Sequence, residues 1–145
     1  MENNEDCILI YTDGACSGNP GPAGIGIVFI YKQHRRELSK YIGYATNNIA
    51  ELESVRTALL EVTNKEIPIK IFTDSSYVCG VLADKYGYTK NKELIDEIKK
   101  IMTQFKKVEI IKVVGHSGVV ENMLADKLAT KTYKKIKLSQ AKNLK

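Results

Sequence analysis

Two short apolar runs that end alike constrain this chain more than anything else in it. Cys7-Ile8-Leu9-Ile10-Tyr11-Thr12-Asp13 and Ile69-Lys70-Ile71-Phe72-Thr73-Asp74 both close on aromatic-Thr-Asp. Each is short and rich in β-branched and aromatic residues, so each reads as a buried strand. A helix-spaced segment lies between them, so the two strands are free to run parallel. Parallel neighbours stand about 4.8 Å apart. Asp13 and Asp74 are then expected side by side at the carboxyl ends of their strands, where open α/β sheets take their ligands. Two carboxylates that close repel, and a bound cation removes the conflict. Taken singly, each Asp has a local reading as well. Asp74, before Ser75-Ser76, suits the N-cap of a following helix.

The rest of the chain supplies the other elements. Ile25–Tyr31 and Glu37–Tyr44 are further strands, and the short break KQHRR between them predicts a hairpin. Ile49–Thr63 has helical spacing, with Leu52, Val55, Leu59 and Val62 on one stripe. Pro68 marks a break. Ser75–Asp84 and Asn91–Phe105 read as helices, Val108–Val114 as a fifth strand, and Val120 to about Ile136 as a last helix. A hairpin followed by strands linked through helices predicts an α/β domain, a mixed sheet with helices on its faces. The expected division is one domain over residues 1–136 and a lysine-rich tail over 137–145.

Two more carboxylates stand out by position. On a helical wheel Glu51 falls at the edge of the apolar stripe, about 20° from Val62, whereas Glu53 and Glu61 fall on the far side. A carboxylate beside a buried face needs a partner or a cation. Asn48-x-x-Glu51 also fits a capping box with Asn48 as N-cap, and capping and ligation can coexist. Asp126 lies in a segment where a strand ends, His116 sits between Gly115 and Gly118, and a helix follows.

Composition narrows the setting. No apolar run approaches the ~20 residues a membrane helix needs, and the acidic, polar start MENNEDC is no secretory signal. Cys7, Cys16 and Cys79 form no metal-type pair, and an odd count argues against a disulfide framework. A reducing, cytoplasmic location and a monomer are the expectations. The net charge of +5 is unevenly spread: seven lysines lie between Lys85 and Lys107 and seven more between Lys127 and Lys145. Such segments can track phosphates or can be solvated helix faces.

Five pieces now stand in order. They are Thr12-Asp13-Gly14; Gly18-Asn19-Pro20-Gly21; Thr46-Asn47-Asn48 with Glu51-Leu52; Thr73-Asp74-Ser75 with Tyr77-Val78; and His116-Ser117-Gly118 with Asn122 and Ala125-Asp126. Together they resemble type 1 ribonuclease H, which cuts the RNA strand of RNA/DNA hybrids, over about Ile8 to Tyr133. The resemblance implies a five-stranded mixed sheet of order 3-2-1-4-5, with two strands antiparallel to the rest and helices on both faces. It implies that Asp13, Glu51, Asp74 and Asp126 hold metal and that His116 is a mobile-loop catalytic histidine. Oxygen-only ligands select Mg²⁺ first and Mn²⁺ second. Two such ions serve both ends of an in-line phosphodiester hydrolysis that leaves 5′-phosphate and 3′-hydroxyl ends.

By the same resemblance Gly14, Cys16, Gly18, Asn19, Thr46, Asn47, Asn48 and Ser76 contact the hybrid. The glycines and Cys16 are expected to let a nucleic-acid backbone approach. The asparagines are expected to face the wide, shallow minor groove, and Thr46 to help hold a phosphate of the DNA strand. The sequence departs from the family twice. Ser76 stands where many members have a longer Gln, and the short segment ADKYGYTKNKELI leaves no room for the tryptophan-containing basic protrusion of some members. Lys85, Tyr86, Tyr88, Lys90 and Lys92 are candidates to replace part of that protrusion.

Overall fold

The computed structural model describes residues 6–85, 87–114 and 120–143. The chain runs β1 (Ile8–Cys16), β2 (Gly21–Tyr31), β3 (His34–Ala45), α1 (Asn47–Glu61), β4 (Ile69–Thr73), α2 (Ser76–Leu82), α3 (Lys92–Met102), β5 (Val108–Lys112) and α4 (Val120–Asn143). The strands form one sheet in the order β3-β2-β1-β4-β5. β1 is parallel to β4 and β4 to β5, while β2 is antiparallel to both β1 and β3. One strand, β2, therefore runs against the other four, where two had been expected.

Strand alternation divides the interior between two faces. Ile8, Ile10, Ile25, Ile27, Ile69 and Ile71 pack with Leu52, Val55 and Leu59 of α1, Val78 and Val81 of α2, and Ile95 and Ile98 of α3. The opposite face is smaller. There Val28 packs on Ala125 and Leu128 of α4, with Tyr11 beside them. Tyr11 and Phe72, one from each parallel strand, stack with ring centroids 4.6 Å apart.

Several boundaries differ from the sequence pattern. β1 does not stop at Asp13 but continues to Cys16, paired with β2 as far as Cys16↔Ala23. The glycine-rich stretch is thus mostly strand, and the turn proper is Ser17–Pro20, closed by the Ser17 N–H donating to the Pro22 carbonyl at 2.8 Å. β3 begins at His34, so the predicted five-residue break shrinks to a turn at Lys32 and Gln33. α4 runs on to Asn143, past the expected end near Ile136.

Two glycines fix where helices lie. A Cβ at Gly14 would overlap the Ala50 carbonyl of α1, and one at Gly26 would overlap the Ala125 carbonyl and the Ala129 amide of α4. Both helices approach the sheet backbone more closely than any side chain allows. Close approach was expected of a nucleic acid at the glycines from Gly14 to Gly24; at Gly14 and Gly24, as at Gly26, the neighbour is the protein's own helix.

Candidate metal centre and nucleic-acid face

The central carboxylates come from three elements. Pairing of β1 with β4 ends at Tyr11↔Phe72, so Asp13 and Asp74 both lie just beyond the last shared rung. α1 crosses at Gly14 and carries Glu51 to the same place. One carboxylate oxygen from each of Asp13, Glu51 and Asp74 lies within 4.8 Å of the other two. Asp13 and Glu51 are buried, at 6% and 7% exposure. The Gly14 N–H donates to Glu51 Oε1 and orients that carboxylate.

Asp126 joins from the other face of the sheet. It stands close enough to Asp13 to help raise that carboxyl. It also lines, with Asp74, Asn122, Met123 and Lys127, a cleft of about 80 Å³. Three of the predicted carboxylates converge, and Asp126 flanks them across the cleft it shares with Asp74. The electrostatics are those of anions without a counter-charge. Burial, then the charge of Glu51, then the contacts with Asp126 and Asp74, push the Asp13 carboxyl far above the ordinary carboxylate range. Burial raises Glu51 to about 7, opposed by the Gly14 N–H. A crowd of buried carboxylates, with no cationic side chain bonded to it among the described residues, is a donor set suited to a hard divalent cation.

Two local readings fail. Asp74 is not the cap of α2: Ser75 is, its hydroxyl accepting from the Val78 N–H at 3.1 Å. Nor does Asn48 cap α1 with Glu51. Thr46 caps it, its hydroxyl accepting from the Ile49 N–H at 3.2 Å, because the helix begins at Asn47, ahead of the predicted start. Both carboxylates are left for the cluster.

The candidate substrate residues assemble beside it. The Asn47 N–H donates to Asn19 Oδ1 at 2.9 Å, and Cys16 Sγ lies 3.9 Å from Asn47 Oδ1. The β1–β2 turn is thereby tied to the start of α1, bringing Cys16, Gly18, Asn19, Thr46, Asn47 and Asn48 onto one edge. Gly18 needs its glycine, with φ at +93°. Gly18, Asn19, Asn47 and Asn48 are exposed, as is Ser76 at the first turn of α2. Gly14 is buried under α1 and can offer no surface. His116 and Tyr86 lie outside the described residues. Of the groups considered as a replacement protrusion, two are engaged within the protein. The Tyr88 hydroxyl donates to Asp96 Oδ1 at 2.6 Å, and Lys92 Nζ donates to Asp96 Oδ2 at 2.5 Å.

Asn122 acquires a meaning its sequence alone did not give. It is buried, and its Oδ1 has no hydrogen-bond partner among the described residues. The signal was the spacing: Asn122 and Asp126 stand four apart, hence on one helix face.

Comparison with known proteins agrees with this geometry. The family model described as RNase H matches residues 5–134. A ribonuclease H of Thermoanaerobacter sp. (strain X514) is 36% identical, the match covering 93% of this chain and 95% of that protein. One of Desulforamulus reducens is 39% identical over 84% of each. Among solved structures, LC11-RNase H1, isolated from compost by a metagenomic approach, superposes with a TM-score of 0.80 at 30% identity, covering 90% of this chain and 98% of that one. RNase H1 from the halophilic archaeon Halobacterium salinarum NRC-1 gives 0.78 at 27% identity, covering 88% and 98%. A structure of LC11-RNase H1 in complex with an RNA/DNA hybrid gives 0.72 at 28% identity, covering 87% and 99%. With the family pattern matched along nearly its whole length and the fold shared, this chain belongs to the ribonuclease H family.

Proposed function

We propose that this ribonuclease H hydrolyses the RNA strand of RNA/DNA hybrids with Asp13, Glu51, Asp74 and Asp126 as ligands of two divalent cations, Mg²⁺ or in its place Mn²⁺. The observation that carries the reading is the convergence of three carboxylate oxygens within 4.8 Å from three separate elements. Bound there, the cations would supply an activated water and charge stabilisation at the scissile phosphate. The chain's own residues do the rest. The four carboxylates would hold the cations that receive the reacting phosphate, and the Gly14 N–H holds Glu51 in orientation. His116 would carry a proton at the leaving side or help product depart, and cutting would leave 5′-phosphate and 3′-hydroxyl ends.

The edge built by Cys16, Gly18, Asn19, Thr46, Asn47 and Asn48 would receive the hybrid's minor groove. Gly14 would act through its N–H on Glu51 rather than by touching substrate. Ser76, shorter than the Gln of many family members, would reach the groove less directly. The complex of LC11-RNase H1 with a hybrid supports this substrate class. We read the enzyme as a cytoplasmic monomer whose domain spans residues 1–136. Its three cysteines are free, and no helix among the described residues is long and apolar enough to cross a membrane.

The test is an end-labelled hybrid incubated with protein and Mg²⁺, beside single-stranded RNA, duplex RNA and duplex DNA. The expected result is metal-dependent cutting of the hybrid's RNA strand alone, abolished in Asp13→Asn. Binding of the hybrid without cutting in either Mg²⁺ or Mn²⁺ would overturn the catalytic reading and leave a binding module.

A further inference from the structure

Among the described residues, the lysines of α4 lack the acidic partners that several cations elsewhere in the chain have. From Lys127 to Lys145 there are seven lysines and no acidic residue. At roughly 100° per residue, Lys127, Lys131, Lys134 and Lys135 fall within a 100° arc. That arc is turned away from the face where Ala125, Leu128 and Ala129 are buried. All four lysines are exposed. None of them has a carboxylate partner among the described residues. By contrast Lys92 is paired with Asp96, Lys99 with Asp84, Arg56 with Glu97 and Arg36 with Glu61.

The stripe also has a direction. Gly26, paired with Asp13, lies against Ala125 and Ala129; Gly24, paired with Ala15, lies against Ala129 and Thr132. α4 therefore advances along β1 toward the Ser17–Pro20 turn. At one end Lys127 lines the same cleft as Asp74 and Asp126. The eight residue steps from Lys127 to Lys135 cover about 12 Å at ~1.5 Å each. That is the axial length of three to four nucleotides of one strand at ~3.4 Å each.

We infer that the Lys127–Lys135 face of α4 is an electrostatic track for the phosphates of the bound hybrid, continuing the substrate path outward from the carboxylate cleft. The inference rests on the hybrid reading above. Two observations select a nucleic-acid backbone as occupant: an uncompensated row of cations, and its continuity with the cleft that would hold the scissile phosphate. The contacts are to backbone charge, so they add affinity without base preference.

The test compares hybrid affinity over a salt series for Asp13→Asn and for Asp13→Asn with Lys131→Gln, Lys134→Gln and Lys135→Gln. Gln keeps helix propensity while removing charge, and thermal unfolding confirms that the fold is retained. Lys100→Gln with Lys106→Gln, on α3 and the loop after it, serves as a control for charge removal elsewhere. The expected result is roughly tenfold weaker binding at low salt, with the slope of log affinity against log salt reduced by about 2, since each phosphate contact contributes ~0.7–0.9. The control should change neither. Unchanged affinity and slope in the triple variant, or an equal loss in the control, would overturn the track. The two readings fail separately. A wild-type chain that cuts no hybrid defeats the reaction proposed above, whereas a chain that cuts while the triple variant binds unaltered defeats only the track.

Discussion

Replacing Asp13 by Asn should make the metal-free protein more stable while destroying its activity. One oxygen from each of Asp13, Glu51 and Asp74 lies within 4.8 Å of the others. At an effective dielectric of about 20, two unit charges at that separation repel by roughly 3 kcal/mol. Burial separately raises Glu51 from 4.5 to about 7. The sign follows from proton linkage. Both Asp13 and Glu51 have folded-state pKa values above their unfolded ones. The folded state therefore binds more protons, and stability falls as pH rises from the unfolded pKa toward the folded one. For Glu51 that window runs from 4.5 to about 7.

The Asp13→Asn substitution puts a neutral amide where burial and the neighbouring carboxylates most disfavour an ionised acid. In chelator at pH 8 the variant should therefore unfold about 10 °C higher, a chain of this length gaining ~3–4 °C per kcal/mol. At pH 5 the gap should narrow, because the wild-type carboxyls then hold protons. Saturating Mg²⁺ should raise the wild-type midpoint and leave the variant nearly unmoved. Thermal unfolding with and without Mg²⁺ at both pH values reads all three effects. A variant no more stable than wild type in chelator at pH 8, or an equal Mg²⁺ shift in both proteins, would refute the reasoning.

Two further perturbations probe how the site is positioned. Gly26→Ala should push α4 off β2, because its Cβ would meet the Ala125 carbonyl and Ala129 amide; a loss of about 2 kcal/mol or more in urea unfolding is expected, of the overpacking kind, with hybrid cleavage falling further than stability as Asp126 is displaced. Thr46→Ala removes the α1 cap and should cost about 1 kcal/mol in the same assay, with Thr46→Ser restoring most of it.

The positions of the carboxylates could be read from the chain because each is fixed by a local pattern. Matching aromatic-Thr-Asp endings placed Asp13 and Asp74, and the helical period placed Glu51 at the edge of a buried stripe, where it lies at 7% exposure. Caps and ends were read less well. Thr46 rather than Asn48 caps α1 because Asn19 holds the Asn47 N–H from across the turn, a contact 28 residues distant. The glycines between Gly14 and Gly24 looked like a loose turn, yet β2 takes Gly21 and Gly24 into the sheet.

The sequence by itself determined which residues alternate, which carry charge and which can end a strand, since these depend on neighbours within a few positions. Only the tertiary structure decided that Asp126 reaches Asp13 and that Gly14 gives its volume to α1. It also decided that, among the described residues, Lys127, Lys131, Lys134 and Lys135 of α4 have no acidic partners while Lys92 and Lys99 of α3 do. Each of these depends on which backbones come into van der Waals contact across the sheet, and residues far apart in the chain meet only through that packing.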